Sequence, residues 1–197
     1  MQPANLPLFP LGTVLFPAGP LALRIFEARY LDLVRRCLKE HSPFGVVLII
    51  AGAEAGEISA VAEVGTSARL VDFDTLPDGL LGVTCLGERR FRVQRRWQQS
   101  DGLNLGEVDY LPADAPCALP EAFAHLGHLL REVLARIGGP YAQLDSHYED
   151  AGWVANRWAE ILPLTGPEKL ELLLDEPLAR LTRVAAWSER QPPAAGE

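Results

Sequence analysis

Three groups of residues in this 197-residue chain have types and spacing suited to chemistry. His125, His128 and Glu132 follow one another at three and four residues, which puts them on one side of a helix. With His147 or Glu149 nearby, that set has the imidazole and carboxylate donors of a zinc site. It equally describes a solvated polar face beside an apolar stripe, and on that reading no metal is expected. The second group is Glu88-Arg-Arg-Phe-Arg-Val-Gln-Arg-Arg96, with five arginines in nine residues. On a strand, period 2 places Arg90, Arg92, Gln94 and Arg96 on one face and Phe91 and Val93 on the other. A basic strand beside Trp97 could follow a phosphate backbone. Glu63, Asp72, Asp74, Asp78 and Glu107 lie on other strands able to pair across it, so the preferred reading is a salt-bridged surface. The third group is Cys37, Cys85 and Cys117. They are odd in number and too far apart in sequence for a metal-ligand pair. No partner histidine is marked for any of them, and Cys37 and Cys85 read as small buried hydrophobes.

Several chemistries lack their motif. No G-x-x-x-x-G-K-[ST] loop is present, and the two lysines, Lys39 and Lys169, follow no glycine cradle. There is no G-x-S-x-G elbow, H-E-x-x-H helix, C-x-x-C pair or G-x-G-x-x-G turn. No cofactor and no catalytic residue are expected. The net charge of −8 argues against a general nucleic-acid binder, whose affinity comes largely from neutralising phosphates. The longest apolar stretch, Gly45 to Ala53, is far short of the roughly 20 residues that span a bilayer. The opening residues MQPANLPLFP carry no basic region before their apolar ones, so no secretory signal is read. Together with the cysteine usage, this predicts a cytoplasmic protein with no membrane contact.

Behind these residues the chain changes character near Pro112. Residues 1–111 carry a net charge of −2 and residues 112–197 a net of −6. Between the halves, residues 112–120 hold three prolines and read as an extended linker. The first half reads as strands: Phe44 to Ile50, one long or two short strands over Ile58 to Phe73 broken at Gly65, and Leu105 to Leu111. Leu80 to Leu86 and Phe91 to Trp97 flank Gly87 as an expected hairpin. Short strands parted by Gly, Asp and Pro suggest a small barrel or sandwich. One helix interrupts them, with Tyr30, Leu33, Val34, Cys37 and Leu38 forming its apolar stripe. Over residues 121–190 the period becomes helical. A stripe of Phe123, Leu126, Leu130, Val133, Leu134 and Ile137 stops at Gly138-Gly139-Pro140. A second helix carries Val154, Trp158, Ile161 and Leu162. Thr165-Gly-Pro-Glu168 is a capping box, and Asp175 is expected to cap the last helix. Residues 191–197 read as a frayed tail. The expected class is α+β, a β-barrel or sandwich with one helix followed by a helical bundle.

The N-terminal stretch is the most distinctive. Leu6 to Leu11 reads LPLFPL, Val14 to Pro17 reads VLFP, and Leu23 to Tyr30 reads LRIFEARY. This opening resembles that of the N-terminal, substrate-binding domain of Lon proteases, in a stand-alone form. Phe44-Gly-Val-Val-Leu, the Val64-Gly-Thr turn, Gly82 to Val93, Ile161-Leu-Pro-Leu-Thr and Glu168-Lys-Leu extend the likeness over nearly the whole chain. The resemblance implies a PUA-like first subdomain and a module that binds polypeptide segments. The ATPase and Ser–Lys protease modules of Lon are not in these residues.

Three functions are weighed. The first, and the one preferred, is a non-catalytic module that binds unfolded or extended polypeptide and works with a protease or adaptor. Its expected contacts are Leu15, Phe16, Pro17, Arg24, Phe26, Glu27, Arg29 and Tyr30. The proline-broken N-terminal segment is expected to leave an open β edge, and Phe16 either protrudes beside it or closes the barrel end. Phe26 and Tyr30 are both expected on the seam between strands and helix, with Arg24, Glu27 and Arg29 as a charge network. The second is a PUA-like RNA or small-ligand binder using Arg89 to Arg96, through Arg90, Arg92 and Arg96. The third is a Lon-type peptidase by family label alone. Whether the chain forms a homodimer is left open.

Overall fold

The β-branched and apolar runs of the first half do form strands, and the helical stripes of the second form helices. The computed structural model describes residues 4–52 and 58–190, so the expected tail at 191–197 lies outside the described residues. The chain divides into two units between Ala113 and Asp114. The described residues form a mixed α+β structure with a six-stranded sheet and five α-helices.

The first unit contains β1 (Ala4–Leu11), β2 (Pro20–Ile25), α1 (Ala28–Glu40), β3 (Phe44–Gly52), β4 (Ile58–Thr75), β5 (Leu81–Gln98) and β6 (Asn104–Tyr110). The strand order is β2-β5-β4-β3-β1-β6, and β6 also pairs with β5. Five strands therefore close into a ring, with β2 left at the end on the N-terminal half of β5. Closure is possible because β5 is 18 residues long. Its residues 81–86 pair with β2, while 91–98 pair with β6. Inside the ring lie Leu6, Leu8, Val47, Phe91 and Val108. The space is narrow: a Cβ on Gly65 would lie 2.2 Å from the Val46 carbonyl oxygen and 2.9 Å from the Phe91 ring. Because strand side chains alternate, β1 sends Leu6 and Leu8 to this interior and Phe9 and Leu11 to a second core. There they meet Tyr30, Leu33, Val34 and Cys37 of α1, together with Ile25, Val83 and Cys85.

The strands settle three expectations. The expected hairpin at Gly87 is a single continuous strand, because Gly87 serves a close approach rather than a turn. The chain between Val14 and Gly19 crosses there, with Ala18 N–H donating to Gly87 O at 2.8 Å and Gly87 N–H to Gly19 O at 2.9 Å. β4 is the one long strand of the two alternatives, running through Gly65 unbroken and taking up its twist at bulges around Ser67 and Val71. β1 is no edge strand despite its prolines. Residues 4–8 pair with β6 and residues 8–11 with β3, so Pro7 and Pro10 each stand where β1 has one neighbour.

The second unit contains α2 (Ala124–Ile137), α3 (Ala151–Ile161), α4 (Gly166–Leu174) and α5 (Pro177–Arg190). Every residue of α3 from Ala151 to Ala159 is buried. Asp150 caps it, accepting from Trp153 N–H at 2.8 Å and from Cys117 N–H at 3.0 Å. Leu119 N–H donates to Glu149 O and Ala151 N–H to Cys117 O, both at 2.7 Å. These bonds fasten the proline-rich segment to the helices of this unit. The Thr165–Glu168 capping box is present in both directions. Asp175 does not cap α5. It ends α4, and its carboxylate accepts from Arg183 at 2.8 Å. Arg180 is fully buried but well supplied with acceptors: Asp114 Oδ2 at 2.9 Å, Asn156 Oδ1 at 2.5 Å, Leu172 O at 2.8 Å and Asp175 O at 2.7 Å.

Candidate functional site

The open edge of the sheet belongs to β2. Its six residues pair with β5 on one side, and among the described residues no strand pairs with the other. Across the three-stranded end of the sheet, opposite residues share a face. Leu23, Val83 and Phe73 form one row, while Ala22 with Thr84 and Asp72, then Arg24 with Gly82 and Asp74, lie on the reverse. A cavity of about 480 Å³ opens on the first face, among Phe9, Leu11, Leu23, Ile25, Phe26 and Tyr30. A second of about 620 Å³ includes Ala22, Arg24, Thr84, Leu76, Asp72 and Asp74 in its lining, as well as Phe73. The residues Ala22, Leu23 and Arg24 line both. The small side chains at 22, 82 and 84 give the second cavity its depth.

The FEARY block divides between this site and the core. Tyr30 is buried and stacks on Phe9, with ring centroids 4.0 Å apart. Phe26, expected beside it on the seam, is 59% exposed at the rim of the smaller cavity. It precedes the helix, so the helical spacing that turns Tyr30 inward does not govern it. Glu27 is the N-cap residue of α1 and pairs with Arg29 at 2.7 Å. Arg29 also donates to Gly102 O at 2.9 Å and lies over the Tyr30 ring at 4.7 Å, holding the β5–β6 turn against the helix. Arg24 stands outside that network, because it reaches Asp78 in the β4–β5 turn. Leu15 is buried, Pro17 half-buried and Phe16 completely buried, so Phe16 closes the structure instead of protruding. Sequence reasoning missed Phe73, Asp72, Asp74 and Asp78. The signal available was an Asp-Phe-Asp alternation at the end of a strand otherwise read as core.

The arginine strand is not one basic face. A bulge between Val93 and Arg95 shifts the register, so Arg95, opposite Glu107, joins the outward side with Arg90 and Arg92 while Arg96 leaves it. Arg92 stands opposite Asp109, and Gln94 donates to Asp109 at 2.9 Å. Arg90 donates to Pro112 O at 3.0 Å, and Arg89 lies 4.2 Å over the Tyr110 ring. His125, His128 and Glu132 are exposed on α2, and no metal-binding cluster occurs among the described residues. Cys37 and Cys85 are buried. Desolvation raises the Cys37 thiol and pushes Cys85 up to about 12, which disfavours the reactive thiolate in both. No described helix is long and apolar enough to cross a membrane.

A sheet that presents an unpaired edge between two cavities has the form of a recognition domain. Residues 5–187 match the family described as the ATP-dependent protease La (LON) substrate-binding domain, and the chain belongs to that family. The solved Lon N-terminal domain protein of Xanthomonas campestris is 39% identical with a TM-score of 0.76, covering 93% of this chain and 98% of that one. The N-terminal domain of a Mycobacterium avium complex Lon protease has 15% identity and a TM-score of 0.66, over 96% of this chain and 100% of that one, and so shares the fold. A Lon protease of Cytophaga hutchinsonii is 30% identical over 98 residues, which make up 49% of this chain and 12% of that protein.

Proposed function

We propose that the chain is a non-catalytic polypeptide-recognition module that receives an extended client segment as an added strand on β2. The observation that carries this is the free β2 edge set between two cavities, with Phe26 at the rim of the smaller and Phe73 on the same face of the sheet, where β4 meets the larger, both 59% exposed. Strand addition draws affinity from main-chain hydrogen bonds and selectivity from pockets for alternate side chains. It therefore suits a module that accepts many unfolded clients. The closed ring of strands supports the PUA-like reading of the first unit, and membership of the substrate-binding family supports the role. The client is then acted on by a protease or adaptor partner. Purified chain incubated with labelled casein, with and without ATP and magnesium, is expected to show background hydrolysis only.

The test is fluorescence anisotropy with labelled, reduced and carboxymethylated α-lactalbumin as the unfolded probe. Phe26→Asp and Phe73→Asp are each expected to weaken binding about tenfold, equivalent to about 1.4 kcal/mol, with the melting temperature unchanged. Wild-type affinity in both variants would overturn the assignment of the site.

A further inference from the structure

We infer that the β2 site selects segments in which apolar residues alternate with lysine or arginine, apolar side chains entering the smaller cavity and basic ones the larger. This rests on strand addition at β2, and it follows from how differently the two faces are charged. A strand laid along β2 sends successive side chains to opposite faces of the sheet. On the face of Phe9, Leu11, Ile25 and Tyr30 the cavity is bounded mainly by apolar residues, with Arg24 shared with the larger cavity, and its one carboxylate, Glu27, is already paired with Arg29 at 2.7 Å. The larger cavity has three carboxylates in its lining, Asp72, Asp74 and Asp78, against one cation, Arg24. Arg24 is spent on Asp78. Asp72 and Asp74 each use one oxygen locally, accepting from Phe73 N–H at 2.9 Å and Thr75 N–H at 2.7 Å. Neither has a cationic partner among the described residues.

Those two carboxylates lie on one face, two residues apart, opposite Thr84 and Gly82. The shallow strip between them and β2 is built from Ala22, Thr84 and Gly82, with Leu76 over Gly82. Such a floor suits a lysine or arginine stem, which packs its methylenes on apolar surface and carries its charge to the rim. A glutamate in the same position would bring a like charge to Asp72 and Asp74. The pair of cavities therefore reads sequence pattern, at period 2, and charge sign, on one face only. A client with the same composition in blocks cannot satisfy both faces at once.

Four labelled ten-residue peptides test this by anisotropy at low salt: leucine alternating with lysine, with glutamate, and with serine, and a blocked leucine–lysine peptide of the first one's composition. The alternating lysine peptide is expected to bind about tenfold tighter than the glutamate one, with the serine peptide between. That gap should shrink to less than about threefold in 0.5 M salt, where the Debye length approaches that of a contact pair. The blocked peptide is expected to bind several-fold more weakly than its alternating isomer. The Asp72→Asn/Asp74→Asn variant should bring the lysine and glutamate peptides to the same affinity, with the melting temperature unchanged. Equal binding of all four peptides, or a preference surviving in the double variant, would overturn the inference while leaving strand addition standing. Failure of every peptide to bind would overturn the parent reading, and the inference with it.

Discussion

A methyl group added at Gly87 probes the contact that fixes the start of β2. A Cβ there would lie 2.2 Å from the Phe16 carbonyl oxygen and 3.1 Å from Leu15 Cγ. The first distance is roughly 1 Å shorter than a carbon–oxygen contact tolerates. The obstacle is backbone, so no rotamer change relieves it, and the segment from Val14 to Gly19 must lift. Lifting it breaks the bonds between Ala18 N–H and Gly87 O and between Gly87 N–H and Gly19 O. Two such bonds contribute about 1 kcal/mol each and overpacking adds about 1–3 kcal/mol, while alanine returns about 0.5–1 kcal/mol of strand propensity. Gly87→Ala is therefore expected to destabilise the first unit by about 2–4 kcal/mol, a large share of the 5–15 kcal/mol that a domain commands.

The readout must be local. Trp153, Trp158 and Trp187 lie in the second unit and only Trp97 in the first, so total tryptophan fluorescence would mostly miss the change. Amide hydrogen exchange over β5 across a urea series reports the right unit. Gly79→Ala serves as control: a Cβ at Gly79 meets nothing within 4 Å, and only its φ of +81° is strained, for about 1 kcal/mol. A Gly87→Ala midpoint within error of wild type, or no larger a loss than in Gly79→Ala, would refute the close approach.

Tyr30→Ala is expected to lose about 3–5 kcal/mol in urea denaturation, as a buried aromatic does. Phe26→Ala should stay within about 0.5 kcal/mol of wild type, as exposed positions do. Thr165→Ala should cost about 1 kcal/mol through the lost cap. The Thr165 hydroxyl, and then its backbone N–H, hold the Glu168 carboxyl below its ordinary 4.5. A depressed folded pKa means this stabilisation is present above pH 4.5 and is lost as pH falls through the lower folded value. The wild-type advantage over Thr165→Ala in thermal melts should accordingly narrow below pH 4.5. An advantage that is constant down to pH 2 would show that Glu168 does not take part in the cap.

What the sequence showed depended on whether a signal was local. The α1 stripe, the Thr165–Glu168 box and the β3 run are set by neighbouring residues, and each appears where its pattern lies. Gly87 was ambiguous because a glycine that turns the chain and one that admits another segment look alike. The segment it admits, Val14 to Gly19, is about seventy positions earlier. The bulge after Val93 was likewise unreadable: it comes from pairing with β6, and it exchanges Arg96 for Arg95 on the outward face. The open edge was expected along the proline-broken N-terminal segment, and it falls at β2, which begins at Pro20, rather than beside Pro7 and Pro10 of β1. The staggered pairing of β1, first with β6 and then with β3, absorbs both.

Why β2 is left open follows from the same economy of strands. Closing the ring uses the C-terminal half of β5, so the N-terminal half needs another neighbour, and β2 supplies one with no described strand beyond it. Soluble proteins usually blunt such an edge with lysine, proline or a covering loop. Here Pro20 stands only at the first position of β2. The one charged side chain on the strand, Arg24, is drawn toward Asp78. From Leu21 to Leu23 the strand keeps apolar side chains along an edge that is unpaired on its outer side. The residues that anchor this edge, Arg29 and Tyr30, come four and five positions after its last residue, Ile25, while Phe26 directly after the strand turns outward. A single short block thus fixes α1 against the sheet and presents an aromatic at the rim. Substitutions within it should separate accordingly: Tyr30 and Arg29 through loss of fold, Phe26 through loss of client with the fold intact.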